Sequence, residues 1–294
     1  MTSTRFSFSL IDMDDDTNAE RWHAALARPL GFDEPQYHKA RSQAEQLRER
    51  LEFDWNGELR RARRALCADL DTIAADVPRT FSEKQASGAL DAANLDALLG
   101  ALAVSSAADA ELLDCRELGY TQGMNYIAAF LLLNQMEAWR AFGCVRALQR
   151  RPFSRILMSL EAEAWRALSL AFALHLDEAL PQLGAHLKRV GLEPEMFLSE
   201  WMVPLFTRSL SLDAAAAVWD LFVREGEAIL LRVASALARA LEPMLLSSTD
   251  LAFCRSVMSQ EPRRVDTVSL LCLVQESRCS AEVMSLLSRW LEPR

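Results

Sequence analysis

The sequence predicts an all-α fold, and three observations carry that prediction. Apolar residues recur at helical spacing along almost the whole chain. Only residues 5–12 alternate with period two, and one short strand cannot make a sheet. The 294 residues include only 10 Gly and 10 Pro, which disfavours a turn-rich β-sandwich or barrel.

The elements follow in order. Residues 1–16 carry one Arg, a Phe6/Phe8/Leu10 alternation and then an acidic cluster where a signal-peptide cleavage site would stand, so no secretion signal is expected. Residues 1–35 form an N-terminal segment whose structure the pattern does not assign. Ala40, Ala44, Leu47 and Leu51 mark the stripe of a core-facing helix. A single helix is expected over 58–76, with Leu59, Ala62 and Leu66 inward and Arg60, Arg61, Arg63 and Arg64 mostly toward solvent. Those arginines make either a solvated face or a contact for an acidic partner or membrane surface.

Pro78 ends that helix, because the residue before a proline is pushed out of helical geometry. The Ser-Ala-rich stretch 103–110 reads as a break. Tyr126–Leu133 reads as a buried helix. Arg151–Pro152, Pro181, Gly191–Pro194, and Pro243 with Ser247–Thr249 are further breaks. Ile229, Leu230, Val233, Leu237 and Leu241 mark one late helix; Val283, Leu286, Leu287, Trp290 and Leu291 mark the last. No repeat of fixed period appears, so two compact lobes are expected rather than a solenoid, with the boundary near 176–195.

Composition removes several function classes. The chain is 51% apolar and 25% charged, an ordinary globular balance. Its formal net charge of −9 argues against nucleic-acid binding. No G-x-G-x-x-G or Walker A pattern is present. Cys67, Cys115, Cys144, Cys254, Cys272 and Cys279 form no C-x-x-C pair and sit near no histidine pair, so no metal site is expected. They read as scattered thiols in a reducing compartment. No apolar stretch reaches the roughly 18 residues of a membrane span, and Arg232 and Arg239 interrupt the longest candidate. A cytoplasmic protein is expected.

Two segments carry chemistry. In Ile73-Ala-Ala-Asp76-Val-Pro78-Arg79-Thr80-Phe81, Arg79 falls at or just past a helix end on a stiffened loop. Asp76, three residues earlier, can hold it by a charge-assisted hydrogen bond. Arg79 is then either an outward-presented guanidinium or an ordinary surface ion pair. In Gly119-Tyr120-Thr121-Gln122-Gly123-Met124-Asn125, two glycines bracket Gln122 just before the apolar helix. The helix N-terminus favours an anionic ligand. Gln122 is either a capping residue or an amide able both to donate to and accept from a water.

Together the two segments resemble the signature of the TBC domain, the module of GTPase-activating proteins for Rab GTPases. The family's I-x-x-D-x-x-R pattern, continued by Thr and an aromatic, matches Ile73, Asp76, Arg79, Thr80 and Phe81. Its Y-x-Q-G pattern, followed by Met and Asn, matches Tyr120, Gln122, Gly123, Met124 and Asn125. Glu200-Trp201-Met202 with Phe206 resembles its W-x-x-x-L-F helix, and Trp219-Asp220 with Glu225-Gly226 its W-D-x-x-x-x-E-G stretch. The likeness runs over roughly 58–245 within a domain expected over 36–294. Ser82 stands where the family usually has Pro, and no Arg-x-x-x-Trp appears upstream: Arg50 and Trp55 are five apart, and Arg21 and Trp22 adjacent.

The resemblance implies a two-lobed helical TBC fold and a Rab GTPase in its GTP-bound form as partner. It implies that Arg79 acts as an arginine finger and Gln122 as a glutamine finger, supported by Ile73, Asp76, Thr80, Tyr120 and Gly123. GTP and Mg²⁺ would be held by the GTPase, and this chain would need no cofactor. Membrane contact would be indirect, through the GTPase, with the chain cytoplasmic or peripheral at endomembranes and its role in vesicle trafficking. A TBC domain that binds a GTPase as scaffold or effector without accelerating hydrolysis is the alternative. An unrelated helical adaptor is a third reading.

Overall fold

The computed structural model describes residues 17–113, 119–159 and 161–291. The period-two stretch 5–12 and Cys115 lie outside them. Seventeen α-helices and no strand occur among the described residues.

α1 (Asn18–Leu26) opens on a reciprocal cap between Thr17 and Glu20 and buries Trp22 completely. A 3₁₀ turn at Arg28–Leu30 leads to α2 (Glu34–Glu52), capped by Asp33 and Gln36. The expected stripe Ala40, Ala44, Leu47 and Leu51 is buried, largely against α6. The expected helix over 58–76 is two helices, α3 (Glu58–Ala62) and α4 (Arg64–Asp76), broken at Arg63 (φ −121°, ψ 38°). One continuous helix would stack Arg60 on Arg63 and Arg64, and Arg61 on Arg64, at spacings where like charges repel. The break leaves all four arginines exposed and Arg60 paired with Asp71 at 3.0 Å.

After a 3₁₀ turn at Val77–Arg79 come α5 (Ser82–Ala86) and α6 (Ala92–Leu113). The break expected at 103–110 does not occur. Alanine is the best helix former, and buried Ser106 is satisfied by Arg146 (2.8 Å) and Gln149 (3.2 Å) rather than competing for the backbone. Then follow α7 (Met124–Leu133), α8 (Ala138–Arg150), α9 (Pro152–Ser159), α10 (Ala162–Ala179) and α11 (Pro181–Val190). Pro152 and Pro181 occupy first helical positions, where a missing N–H costs nothing.

The second half contains α12 (Leu198–Met202), α13 (Leu212–Glu225), α14 (Ala228–Leu246), α15 (Leu251–Gln260), α16 (Thr267–Glu276) and α17 (Ala281–Leu291). Pro243 was expected to end a helix but lies inside α14. It removes a single N–H near the helix end, while buried Leu241 and Leu245 on either side hold the last turn to the core. No described helix is long and apolar enough to cross a membrane.

The core centres on three rings. Trp22 of α1 stacks on Phe130 of α7 at 5.3 Å, and Trp219 of α13 lies 5.4 Å from Trp22 and 5.2 Å from Phe130. The Trp22 indole N–H donates to Asp220 at 2.8 Å, and Arg21 pairs with the same carboxylate at 3.3 Å. Thus the adjacent Arg21-Trp22 pair joins the start of the chain to Trp219-Asp220. Near the boundary expected at 176–195, the chain turns at Leu180 and again at left-handed Gly191. The buried apolar residues form one cluster across both turns. The central helix α7 begins directly after Gly123, so the segment bearing Gln122 is rooted in the middle of the core.

Candidate functional site

Asp76 is the last residue of α4 and is fully buried. Ile73, one turn earlier, is fully buried too and fixes the rotation of that helix end. The Asp76 carboxylate has a different partner on each oxygen. Oδ1 forms an ion pair with Arg79, and Oδ2 accepts from the Tyr120 hydroxyl at 2.6 Å. One buried anion therefore ties together the two segments that the sequence singles out.

Around it the loops are knit by side-chain-to-backbone bonds. The Thr80 hydroxyl donates to the Asp76 carbonyl (2.7 Å) and accepts from the Asn125 amide (2.7 Å). Gln85 donates to the carbonyls of Val77 (2.6 Å) and Thr80 (2.7 Å). The Tyr120 N–H donates to Asp69 at 2.9 Å, and the Gly123 N–H to the Asn125 side-chain oxygen at 2.9 Å. Desolvation, reinforced by the hydrogen bond to Asp76 and its charge, pushes the Tyr120 phenol well above its ordinary value. It is a neutral donor at physiological pH.

Gly123 is required by geometry twice over. Its φ of 116° suits only glycine, and a Cβ there would sit 2.8 Å from Val203 Cγ1. At the start of α7, the N–H groups of Gly123, Met124 and Tyr126 donate locally, to the Asn125 side chain, Thr121 and Gly123. The cations lining the adjoining cleft are the Arg79 and Arg208 side chains.

Arg79 (side chain 56% exposed) and the exposed Gln122 line one open cleft of about 330 Å³ with Tyr126, Glu200, Pro204 and Arg208. The backbone around the cleft is strained. Phe81, Leu205 and Phe206 take φ values of 45°, 48° and 65°, three of the four non-glycine positive values among the described residues. The sequence reading placed Arg79, Gln122, Asp76, Thr80, Tyr120, Gly123 and Ile73 here, and the structure brings all of them together. Sequence reasoning missed Asp69 and Arg208, and it noted Glu200 only as a neighbour of Trp201. Arg208 alone left a signal: it is the single charged side chain in the apolar run Trp201–Leu212. No group of His, Cys, Asp or Glu able to hold a metal occurs among the described residues. The five described cysteines are free, and burial pushes the Cys67, Cys144 and Cys254 thiols up.

The Rab-GTPase-TBC domain family matches residues 20–246. TBC1 domain family member 14 of Bos taurus is 36% identical over 129 residues, covering 44% of this chain and 18% of that protein. TBC1 domain family member 12 of Xenopus tropicalis is 37% identical over 130 residues, covering 44% and 19%. Drainin of Dictyostelium discoideum is 33% identical over 138 residues, covering 45% and 30%. The chain thus spans under a third of the length of these relatives. In fold, it resembles the crystal structure of the Chlamydomonas flagellar RabGAP TBC domain (TM-score 0.67, 19% identity, 90% of this chain and 81% of that one). It also resembles the Ypt/Rab-GAP domain of Gyp1p (TM-score 0.57, 14% identity, 88% and 90%). With the family matched from α1 to the end of α14, well over half its length, this chain belongs to the Rab-GTPase-TBC domain family.

Proposed function

We propose that this chain activates GTP hydrolysis on a Rab-family GTPase in its GTP-bound form by supplying Arg79 and Gln122 in trans. The observation that carries the reading is the shared cleft: both side chains are exposed on it, Arg79 is tethered to Asp76, and the loop bearing Gln122 is tied to the same carboxylate through Tyr120. Hydrolysis passes through a loose transition state, so catalysis is mostly positioning and charge stabilisation. Arg79 supplies a permanent cation with planar donors that fit phosphoryl oxygens. Its bond to Asp76 engages one terminal nitrogen, leaving the others for the nucleotide. Gln122 supplies an amide that donates to and accepts from the attacking water without being a base. GTP and Mg²⁺ belong to the GTPase, and membrane contact is indirect through it. The setting is cytoplasmic, at trafficking membranes.

Single-turnover hydrolysis across a panel of Rab proteins tests this. Stimulation of one or a few is expected, with Arg79→Ala lowering it by about 10³–10⁵-fold and Gln122→Ala lowering it strongly. Activity should largely survive replacement of the GTPase's own catalytic Gln. A folded Arg79→Ala chain that still stimulates overturns the reading. GTP-dependent binding with no stimulation favours a scaffold or effector.

A further inference from the structure

The side of the cleft formed by residues 201–210 has a single exposed member. Nine of those ten residues are buried, and only Arg208 reaches solvent. The segment is held tightly in an unfavourable shape. Leu205 and Phe206 are consecutive left-handed residues. The Leu205 carbonyl accepts from the Trp219 indole (3.2 Å), the Phe206 N–H donates to Trp201 (2.7 Å), and the Thr207 hydroxyl donates to Pro204 (2.7 Å). Backbone strain of this kind persists only where surrounding structure enforces it, and it gathers at ligand sites. Its effect here is to project one guanidinium.

That guanidinium lies over the Tyr126 ring, 5.4 Å from its centroid, while Phe81 meets the same ring edge-on at 5.3 Å. Tyr126 therefore links Arg208 to the Thr80–Phe81 turn that follows Arg79. Arg208 makes no ion pair among the described residues. Glu200, which shares the cleft, has its carboxylate engaged by Ser259 at 2.8 Å. On the outer side Arg263 donates to the Arg208 carbonyl at 3.2 Å, and it and Arg264 line an adjoining cleft of about 380 Å³ with Arg208. Glu200 lines this second cleft too and Glu261 pairs with Arg264 at 3.0 Å, so Arg208 and Arg263 are its cations without an ion pair among the described residues.

We propose that Arg208 is a docking residue that receives a surface carboxylate of the GTPase beside the catalytic cleft, and that it sets affinity and partner choice rather than the chemical step. A guanidinium with one face on an aromatic ring presents its N–H edge in a fixed plane, which suits a two-pronged bond to a carboxylate. This rests on the activating reading above, but its readout differs. Arg79 and Gln122 should govern kcat; Arg208 should govern KM and the Kd for the GTPase loaded with a non-hydrolysable GTP analogue.

The test measures both quantities for the unsubstituted chain, Arg208→Gln, Arg208→Glu and Arg79→Ala against the Rab panel, at two salt concentrations. Arg208→Gln should raise Kd and KM about 10-fold and Arg208→Glu about 100-fold, with kcat within about twofold. The salt dependence of Kd should flatten in Arg208→Gln, which loss of ring stacking alone would not produce. An acid-to-Lys substitution on the GTPase should restore binding to Arg208→Glu. Unchanged Kd and KM in both variants overturn the proposal and leave the activating function standing. A fall in kcat at constant Kd overturns it too, by placing Arg208 on the nucleotide. If Arg79→Ala still stimulates while Arg208→Gln binds weakly, the finger mechanism fails and the docking residue stands. A chain that binds no Rab in either nucleotide state overturns both.

Discussion

Arg79 and Gln122 are presented to the same cleft by opposite means. Arg79 sits on a 3₁₀ turn and is steadied through its own side chain, by the ion pair to buried Asp76. Gln122 is steadied through its backbone, between Tyr120 anchored to Asp69 and Asp76 and a glycine whose conformation no other residue shares comfortably. The difference is chemically sensible. A guanidinium has donors enough to keep one on its tether and offer the rest. An amide has only two N–H donors and one carbonyl oxygen, and holding Gln122 through its backbone leaves all of them for the water that the proposed mechanism requires.

The sharpest way to break this comparison is Gly123→Ala. A Cβ there meets Val203 at 2.8 Å, and the backbone is left with a φ of 116°. Overpacking and left-handed strain together cost about 2–5 kcal/mol, read as a shift in the denaturant midpoint. Stimulated hydrolysis should fall by about 100-fold or more, since misplacement of about 1 Å has that consequence. Gly123→Ala with Val203→Ala removes the clash but not the strain, so it should recover part of the stability and little of the activity. Full recovery of both would show that the loop is held by packing alone.

Tyr120→Phe is the smaller perturbation, and it touches both presentations at once. It removes a 2.6 Å donor from the Asp76 carboxylate and leaves a buried charged oxygen short of a partner. The expected loss is about 1.5–3 kcal/mol of stability. With Asp76 less well held, Arg79 should lose definition and kcat should drop, while the Kd for a GTP-loaded Rab stays near that of the unsubstituted chain. An equal rise in Kd would place Tyr120 in docking rather than in positioning.

These contrasts also mark what the sequence could disclose. Local periodicity was enough for the α2 stripe of Ala40, Ala44, Leu47 and Leu51, because burial on one face of a helix repeats at a fixed spacing. It failed at 103–110, where serine reads as a loop former unless a partner on another helix satisfies it, as Arg146 and Gln149 do for Ser106. The candidate site residues stood out because they fall in two short segments, each contiguous. Their union through Asp76 and Tyr120, 44 positions apart, was not, and neither was the Asp69 anchor 51 positions from Tyr120. Such pairings depend on how α4 and α7 each pack against α6, and no pattern within either segment reports that. The Arg21-Trp22 pair illustrates the same limit. Its importance lies in Phe130, Trp219 and Asp220, more than a hundred residues away.

The gentlest test sets the site against the scaffold by pH. Tyr120 stays a neutral donor, so it contributes no change between pH 5 and 8. His175 behaves differently. It is buried in α10, with Nε2 3.1 Å from the Ser277 hydroxyl, and Nδ1 buried without a partner. Burial lowers its pKa below the ordinary 6.5. The folded state then resists a proton that the unfolded chain accepts, so stability is full above about 6.5 and declines as pH falls toward the lowered folded value. His23, lowered mainly by burial and then by Arg140, acts in the same direction. Each histidine contributes at most about 1.4 kcal/mol per pH unit over that window. Denaturant midpoints should therefore fall between pH 7.5 and 5.5, and the fall should shrink in His175→Gln, which places an uncharged amide there. A midpoint that declines equally in His175→Gln would assign the acid sensitivity to other groups. A decline that vanishes in Tyr120→Phe instead would move it from the scaffold into the site and undo the separation drawn between them.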